Sequence, residues 1–186
     1  NLPPHLQWIE VDFPGIITYK EKHLNGKKPE CQLQRISADL SNDQERRNLF
    51  AQLGKSARKT LILTEGVVAY ITSEQASRLS KDLYAVPSFH FWIQDYSRGG
   101  FKRKNRSKAF TEMMKHTPVQ FTEKDPIGFF GRDGWRVREN VFLLDEANRI
   151  GRSLPLKFPW TLLMRLFPGF RKMANKTYSF VMFERS

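Results

Sequence analysis

The sequence predicts an α/β fold, an open parallel sheet with helices on both faces. Three observations predict it. Strand-like and helix-like patterns alternate through the first half of the 186 residues. The connections between them are short. Parallel neighbours need a crossover, and a helix supplies one of the right hand.

The elements follow in order. Leu6-Gln7-Trp8-Ile9-Glu10-Val11 reads as a strand that ends at Asp12. Pro14 suits the first turn of a helix, Ile16, Ile17, Lys20 and Leu24 continue at helical spacing, and Gly26 stops it. Cys31 to Ser37 alternates as a second strand, followed by Asp39-Leu40. Ser41 and Gln44 suggest a capping box for a helix carrying Leu49, Phe50 and Leu53, closed by Gly54. Thr60-Leu61-Ile62-Leu63-Thr64 is a third strand, apolar enough to be buried on both faces, and Glu65-Gly66 ends it. Thr72 and Gln75 suggest another capping box, ahead of a stripe of Ala76, Leu79 and Leu83. Ser88 to Ile93 is a fourth strand.

Past residue 95 the pattern changes. Ser97 to Lys108 is polar and basic, an expected exposed loop, and Ala109 to Lys115 begins a helix. Gly134 to Glu139 reads as a strand and Leu143 to Ile150 as a short helix. Phe158 to Met173 is apolar and broken by proline, an expected cover, and Thr177 to Glu184 is a strong final strand. The whole of 1–186 reads as a single domain.

Composition bounds the function. Hydrophobic residues make up 40% and charged residues 27%, which supports a packed core. No apolar run approaches the ~20 residues of a membrane span, so no membrane partner is expected. Asn1-Leu2-Pro3-Pro4 lacks the basic-then-apolar pattern of a secretory leader. The lone Cys31 can form no internal disulfide and suits a reducing, cytoplasmic compartment. The formal charge of +12 fits either general solubility or an acidic partner. The four histidines show no metal-ligand spacing, and there is no Gly-x-x-x-x-Gly-Lys loop.

Asp12, Asp39 and Glu65 each stand at the end of a predicted strand, so they are expected to share one edge of the sheet. Open parallel sheets bind ligands beyond the carboxyl ends of their strands. A carboxylate there can take two hydrogen bonds from a ribose diol, a second can meet an adenine amino group, and a third can face a cation. Three acids suit a nucleoside-bearing cation better than a polyphosphate. Acids near helix starts can also be simple caps.

Glu10-Val11-Asp12-Phe13-Pro14, Lys20, Ala38-Asp39-Leu40 and Glu65-Gly66-Val67-Val68-Ala69-Tyr70 resemble the leucine carboxyl methyltransferase family, as do Gly134-Trp135 and the terminal Tyr178 to Arg185. The resemblance implies a Rossmann-like methyltransferase fold, mostly parallel with an antiparallel C-terminal strand. It implies S-adenosyl-L-methionine as cofactor and transfer of a methyl group to a carboxylate or hydroxyl, on a protein C-terminus or a small metabolite. It would have Asp12 hold the ribose, Asp39 and the Leu40 backbone bracket the adenine, and Glu65 lie near the methionine end. Tyr70 would face the substrate or pack at a helix start, and Lys20 would be a family feature or a solvated helix residue.

The family's glycine-rich loop is not found, since the 11 glycines include no Gly-x-Gly. The resemblance places that loop, with the family's first strand, upstream of residue 1. A missing N-terminal segment of the same protein is therefore an expected partner. A carboxylate acceptor needs no general base, whereas a hydroxyl needs one within hydrogen-bond reach. Among His5, His23, His90 and His116 none is assigned, and His90 reads as a core histidine between Phe89 and Phe91. Two readings compete with the enzyme: a nucleic-acid module gripping phosphates through the basic 99–108 segment, with Lys102, Arg103, Lys104, Arg106 and Lys108, and an inactive relic of the fold.

Overall fold

The computed structural model describes residues 2–97, 118–152, 166 and 178–186. It forms two compact units, Asn1–Leu53 and Gly54–Ser186. The expected basic loop and the helix start at Ala109 lie outside the described residues, as does the apolar cover apart from Leu166.

The first unit is a βαβα run: β1 (Gln7–Asp12), α1 (Pro14–Leu24), β2 (Gln32–Ser37) and α2 (Asp43–Leu53). β1 and β2 pair in parallel without a slip, from Gln7 opposite Gln32 to Asp12 opposite Ser37. Pro14 occupies the first turn of α1, where its missing N–H costs nothing, and Ile17 is buried. The cap of α2 differs from the expectation. Asn42, not Ser41, caps it, with its side-chain oxygen accepting the N–H groups of Gln44 (3.1 Å) and Glu45 (3.2 Å). Ser41 is diverted to Asp39, and the Gln44 amide donates to Asn48.

The second unit contains β3 (Thr60–Thr64), a short 3-10 turn (Val68–Tyr70), α3 (Ser73–Tyr84), β4 (Phe89–Ser97), α4 (Pro126–Gly131), β5 (Trp135–Phe142), α5 (Leu143–Arg149) and β6 (Tyr178–Arg185). Its sheet runs β3-β4-β6-β5. β3 and β4 are parallel. The last strand inserts between β4 and β5 and is antiparallel to both. The α/β class and the antiparallel C-terminal strand are thus as expected, in two sheets rather than one. Among the described residues, β1 and β3 each pair along one edge only.

The core of this unit is aromatic. Trp92 is fully buried, with its ring 4.7 Å from Phe130 and 5.5 Å from both Trp135 and Phe183. A buried indole needs a partner for its N–H, and Trp92 donates to the Thr64 hydroxyl at 2.9 Å. That bond ties β4 to the end of β3. Phe130 arrives on α4, a helix absent from the sequence reading, which starts where Asp125 accepts the Gly128 N–H at 3.0 Å. The Thr72–Gln75 capping box of α3 is present in both directions, at 3.2 and 2.8 Å.

β3 is not buried on both faces. Leu61 is 53% and Leu63 46% exposed, while Thr64, on the opposite face, is buried. The side of β3 that carries Thr64 packs on the aromatic core, and its other side is open among the described residues.

Gly134 has a left-handed backbone, with φ of 101°, and a Cβ there would lie 2.5 Å from the Tyr84 ring. Gly134→Ala is expected to destabilise the second unit by about 1–3 kcal/mol in urea unfolding, combining a left-handed backbone with a clash. Gly131→Ala, with open space around it, serves as the control and is expected to cost nothing.

Candidate functional site

Parallel pairing in the first unit brings Asp12 and Asp39 to the same carboxyl edge, one at the end of β1 and the other two residues past β2. One Asp12 oxygen accepts the N–H of Phe13 at 2.9 Å. The other faces the Lys20 ammonium at 3.4 Å. Lys20 also lies 3.9 Å from Glu10, which accepts from Arg35 at 2.9 Å. Lys20 is therefore not a merely solvated helix residue, because it partly neutralises the carboxyl edge. At 3.4 Å its hold on Asp12 is loose, and a stronger donor could displace it.

Asp39 is arranged differently. Its Oδ1 accepts both the N–H of Ser41 (2.9 Å) and its hydroxyl (2.6 Å). These bonds, the hydroxyl's first, hold the carboxyl below its ordinary range. Its Oδ2 has no partner among the described residues, and neither has the N–H of Leu40. An acceptor and a donor thus stand on adjacent residues. The Leu40 carbonyl is already taken, accepting from the guanidinium of Arg46 at 2.7 Å. Arg46 is 3% exposed and also donates to Asp43 at 2.8 Å. The sequence reading missed this buried arginine, and its only local signal is the spacing of Asp43 and Arg46 on one helix face.

In the second unit, Glu65 and Gly66 leave the carboxyl end of β3. Glu65 is exposed and has no hydrogen bond or ion pair among the described residues. Thr64 pairs with Gln94, so Asp95 stands at the same end of β4. One Asp95 oxygen accepts the Gly66 N–H at 2.9 Å, and the other accepts the Tyr178 hydroxyl at 2.8 Å. Burial pushes the Tyr178 phenol well above its ordinary range, and its bond to Asp95 and the nearby Glu65 and Tyr70 push the same way. Tyr70 is half-buried at the end of the 3-10 turn, and its carbonyl accepts from Gln120 at 2.7 Å. Asp95 and Tyr178 were not singled out in the sequence.

None of the described histidines stands at these strand ends. His90 is half-buried in the first part of β4. His5 is exposed, His23 stacks on Tyr19, and His116 lies outside the described residues. Among the described residues no cluster of His, Cys, Asp or Glu is arranged to hold a metal. An open cavity of about 610 Å³ bounded by Thr122, Lys124, Phe129 and Arg132 contains none of the predicted residues.

A sequence model of the leucine carboxyl methyltransferase family matches residues 1–83. The likeness to that family thus covers fewer than half of the 186 residues. The match spans Asp12, Asp39, Leu40, Glu65 and Tyr70. A protein of Parafrankia sp. (strain EAN1pec), described as a candidate S-adenosyl-L-methionine-dependent methyltransferase, is 27% identical over 170 residues, covering 84% of this chain. The chain spans 52% of that relative's length. Among solved structures, a DUF574 family protein from Streptomyces avermitilis MA-4680 superposes with a TM-score of 0.60 at 11% identity, over 98% of this chain and 66% of that one. The S-adenosylmethionine-dependent methyltransferase SibL, in its apo form, superposes with a TM-score of 0.52 at 13% identity, over 97% of this chain and 43% of its own. At those identities the likeness is one of fold, the Rossmann-like α/β arrangement.

Removing the Ser41 hydroxyl tests the electrostatics of the edge. A lowered carboxyl pKa favours the folded state above the unfolded pKa, and that contribution disappears as pH falls through the lowered value. In Ser41→Ala, NMR titration of the Asp39 carboxyl is expected to move it back toward the ordinary carboxylate range, since the hydroxyl bond that lowers it most is gone.

Proposed function

We propose that this chain is the nucleoside-binding and acceptor-facing part of an S-adenosyl-L-methionine-dependent O-methyltransferase. One observation carries the reading. On the carboxyl edge of a parallel pair, Asp39 Oδ2 and the Leu40 N–H, on adjacent residues, have no partner among the described residues, and Asp12 on the neighbouring strand end is loosely held. An acceptor beside a donor complements the amino group and ring nitrogen of adenine, and a carboxylate one strand over complements the ribose diol. The family match and the relatives' names support the same reading.

In this proposal Asp12 takes the ribose hydroxyls as Lys20 yields, and Asp39 and Leu40 hold the adenine. Arg46 occupies the Leu40 carbonyl and leaves its N–H for the ligand. Glu65 lies near the methionine end, and Tyr70 faces the acceptor. The aligned stretch spans 52% of the Parafrankia relative's length, and the glycine loop is proposed to come from sequence upstream of residue 1. The bound cofactor supplies a methyl group on a sulfonium, which a nucleophile displaces in line. The chain's contribution is orientation and exclusion of water. A carboxylate acceptor, on a protein C-terminus or a small metabolite, arrives already ionised. A hydroxyl acceptor needs a base, and none is assigned. No helix among the described residues is long and apolar enough to cross a membrane. The lone Cys31 suits a reducing, cytoplasmic setting.

Calorimetric titration of S-adenosylhomocysteine into the full-length natural protein tests the proposal. Binding is expected, and it should weaken roughly 10-fold or more in Asp12→Ala and in Asp39→Ala, the scale of one charge-assisted hydrogen bond. No binding at millimolar ligand sinks the reading.

A further inference from the structure

Glu65 is placed unlike the other acids. Its backbone is pinned on both sides. Before it, Thr64 is buried and accepts the Trp92 indole N–H. After it, Gly66 adopts φ of 63°, a left-handed turn. Asp95 takes up the Gly66 N–H at 2.9 Å. An aspartate holding one donor is free to rotate about its side-chain bonds. Tyr178 removes that freedom, because its hydroxyl donates to the second oxygen at 2.8 Å. Both Asp95 oxygens are thereby engaged, while the Glu65 carboxylate has no partner among the described residues. The raised phenol pKa keeps Tyr178 a donor at any working pH.

From this geometry we propose that Asp95 and Tyr178 are positioning residues for Glu65. They lock the turn after β3 and so fix the backbone from which the Glu65 side chain reaches the ammonium of the cofactor's methionine end. This rests on the cofactor reading above and deepens it by naming what holds the methionine end. A turn fixed before binding loses less freedom when the ligand arrives.

Two ligands separate positioning from structural damage. S-adenosylhomocysteine carries the amino-acid end, and adenosine lacks it. Both are titrated into the full-length natural protein and into Tyr178→Phe, Asp95→Asn, Glu65→Gln and the Tyr178→Phe/Glu65→Gln double variant. Tyr178→Phe removes a single oxygen and guards against misfolding, which thermal unfolding monitors. The expected result is a roughly 10-fold loss for S-adenosylhomocysteine in each single variant, with adenosine binding unchanged within about twofold. The double variant should lose no more than Glu65→Gln alone, because the phenol acts through that carboxylate. Equal loss for both ligands overturns the proposal in favour of a general structural role. Unchanged affinity for S-adenosylhomocysteine, or additive losses in the double variant, overturns it as well. Wild-type protein that binds neither ligand removes the cofactor reading itself, and this inference with it.

Discussion

Strands that run the same way in one ladder must finish at the same edge, and that constraint organises both units. In the first unit it puts Asp12 and Asp39 together without any contact between them. In the second it puts Glu65-Gly66 and Asp95 together, from the ends of β3 and β4. An antiparallel strand begins where its parallel neighbours end. β6 runs against β4, with Tyr178 opposite Ser97, and so delivers a phenol to the edge that β3 and β4 have already furnished with acids. The Tyr178–Asp95 bond follows from strand direction, with no special loop required. The aromatic core under Trp92 keeps those strands in register, and its indole bond to Thr64 fixes the height at which β3 ends.

A shared position does not give the acids a shared chemistry. Asp12 is drawn into an ion network with Lys20, Glu10 and Arg35, partly neutralised yet loosely held. Asp39 spends one oxygen on Ser41 and keeps the other free, and its carboxyl pKa is lowered as a result. Asp95 spends both oxygens. Glu65 spends neither within the described residues. A strand-end acid with both oxygens engaged supports the fold, whereas one with a free oxygen can still meet a ligand. By that criterion Asp39 and Glu65 remain available, Asp12 becomes available if Lys20 moves, and Asp95 serves its neighbours.

The sequence showed what short-range spacing controls. The six strands, the Thr72–Gln75 box and the glycine after α1 were legible because each depends on residues within one or two turns of each other. Five features were not. Ser41 and Asn42 are both good caps, and the choice of Asn42 follows from Asp39 claiming the Ser41 hydroxyl, a bond outside the helix. The exposure of Leu61 and Leu63 depends on which face of β3 finds a covering layer, and a run of apolar residues does not encode that. α4 has six residues, too few for a helical period to show. Arg46 reads as a solvated charge until the loop before α2 folds over it and offers the Leu40 carbonyl. Asp95 and Tyr178 stand 83 residues apart, and only sheet order brings them together.

The family match ends at Leu83, in α3, and so contains every residue the sequence assigned to cofactor or acceptor. Asp95 and Tyr178 lie beyond it. Whether that later part of the chain can influence the earlier part is a question of magnitude. A hydrogen bond to a charged group is worth about 1.5–3 kcal/mol net. Turning a side chain well off its preferred rotamer costs about 0.5–1.5 kcal/mol. One bond from Tyr178 is therefore enough to select a single Asp95 orientation, and Asp95 in turn holds a turn whose glycine has few intrinsic preferences. Glu65 sits on that turn with no partner of its own to resist. The last strand thus reaches the turn that ends the third through a single shared aspartate, without touching Glu65 itself.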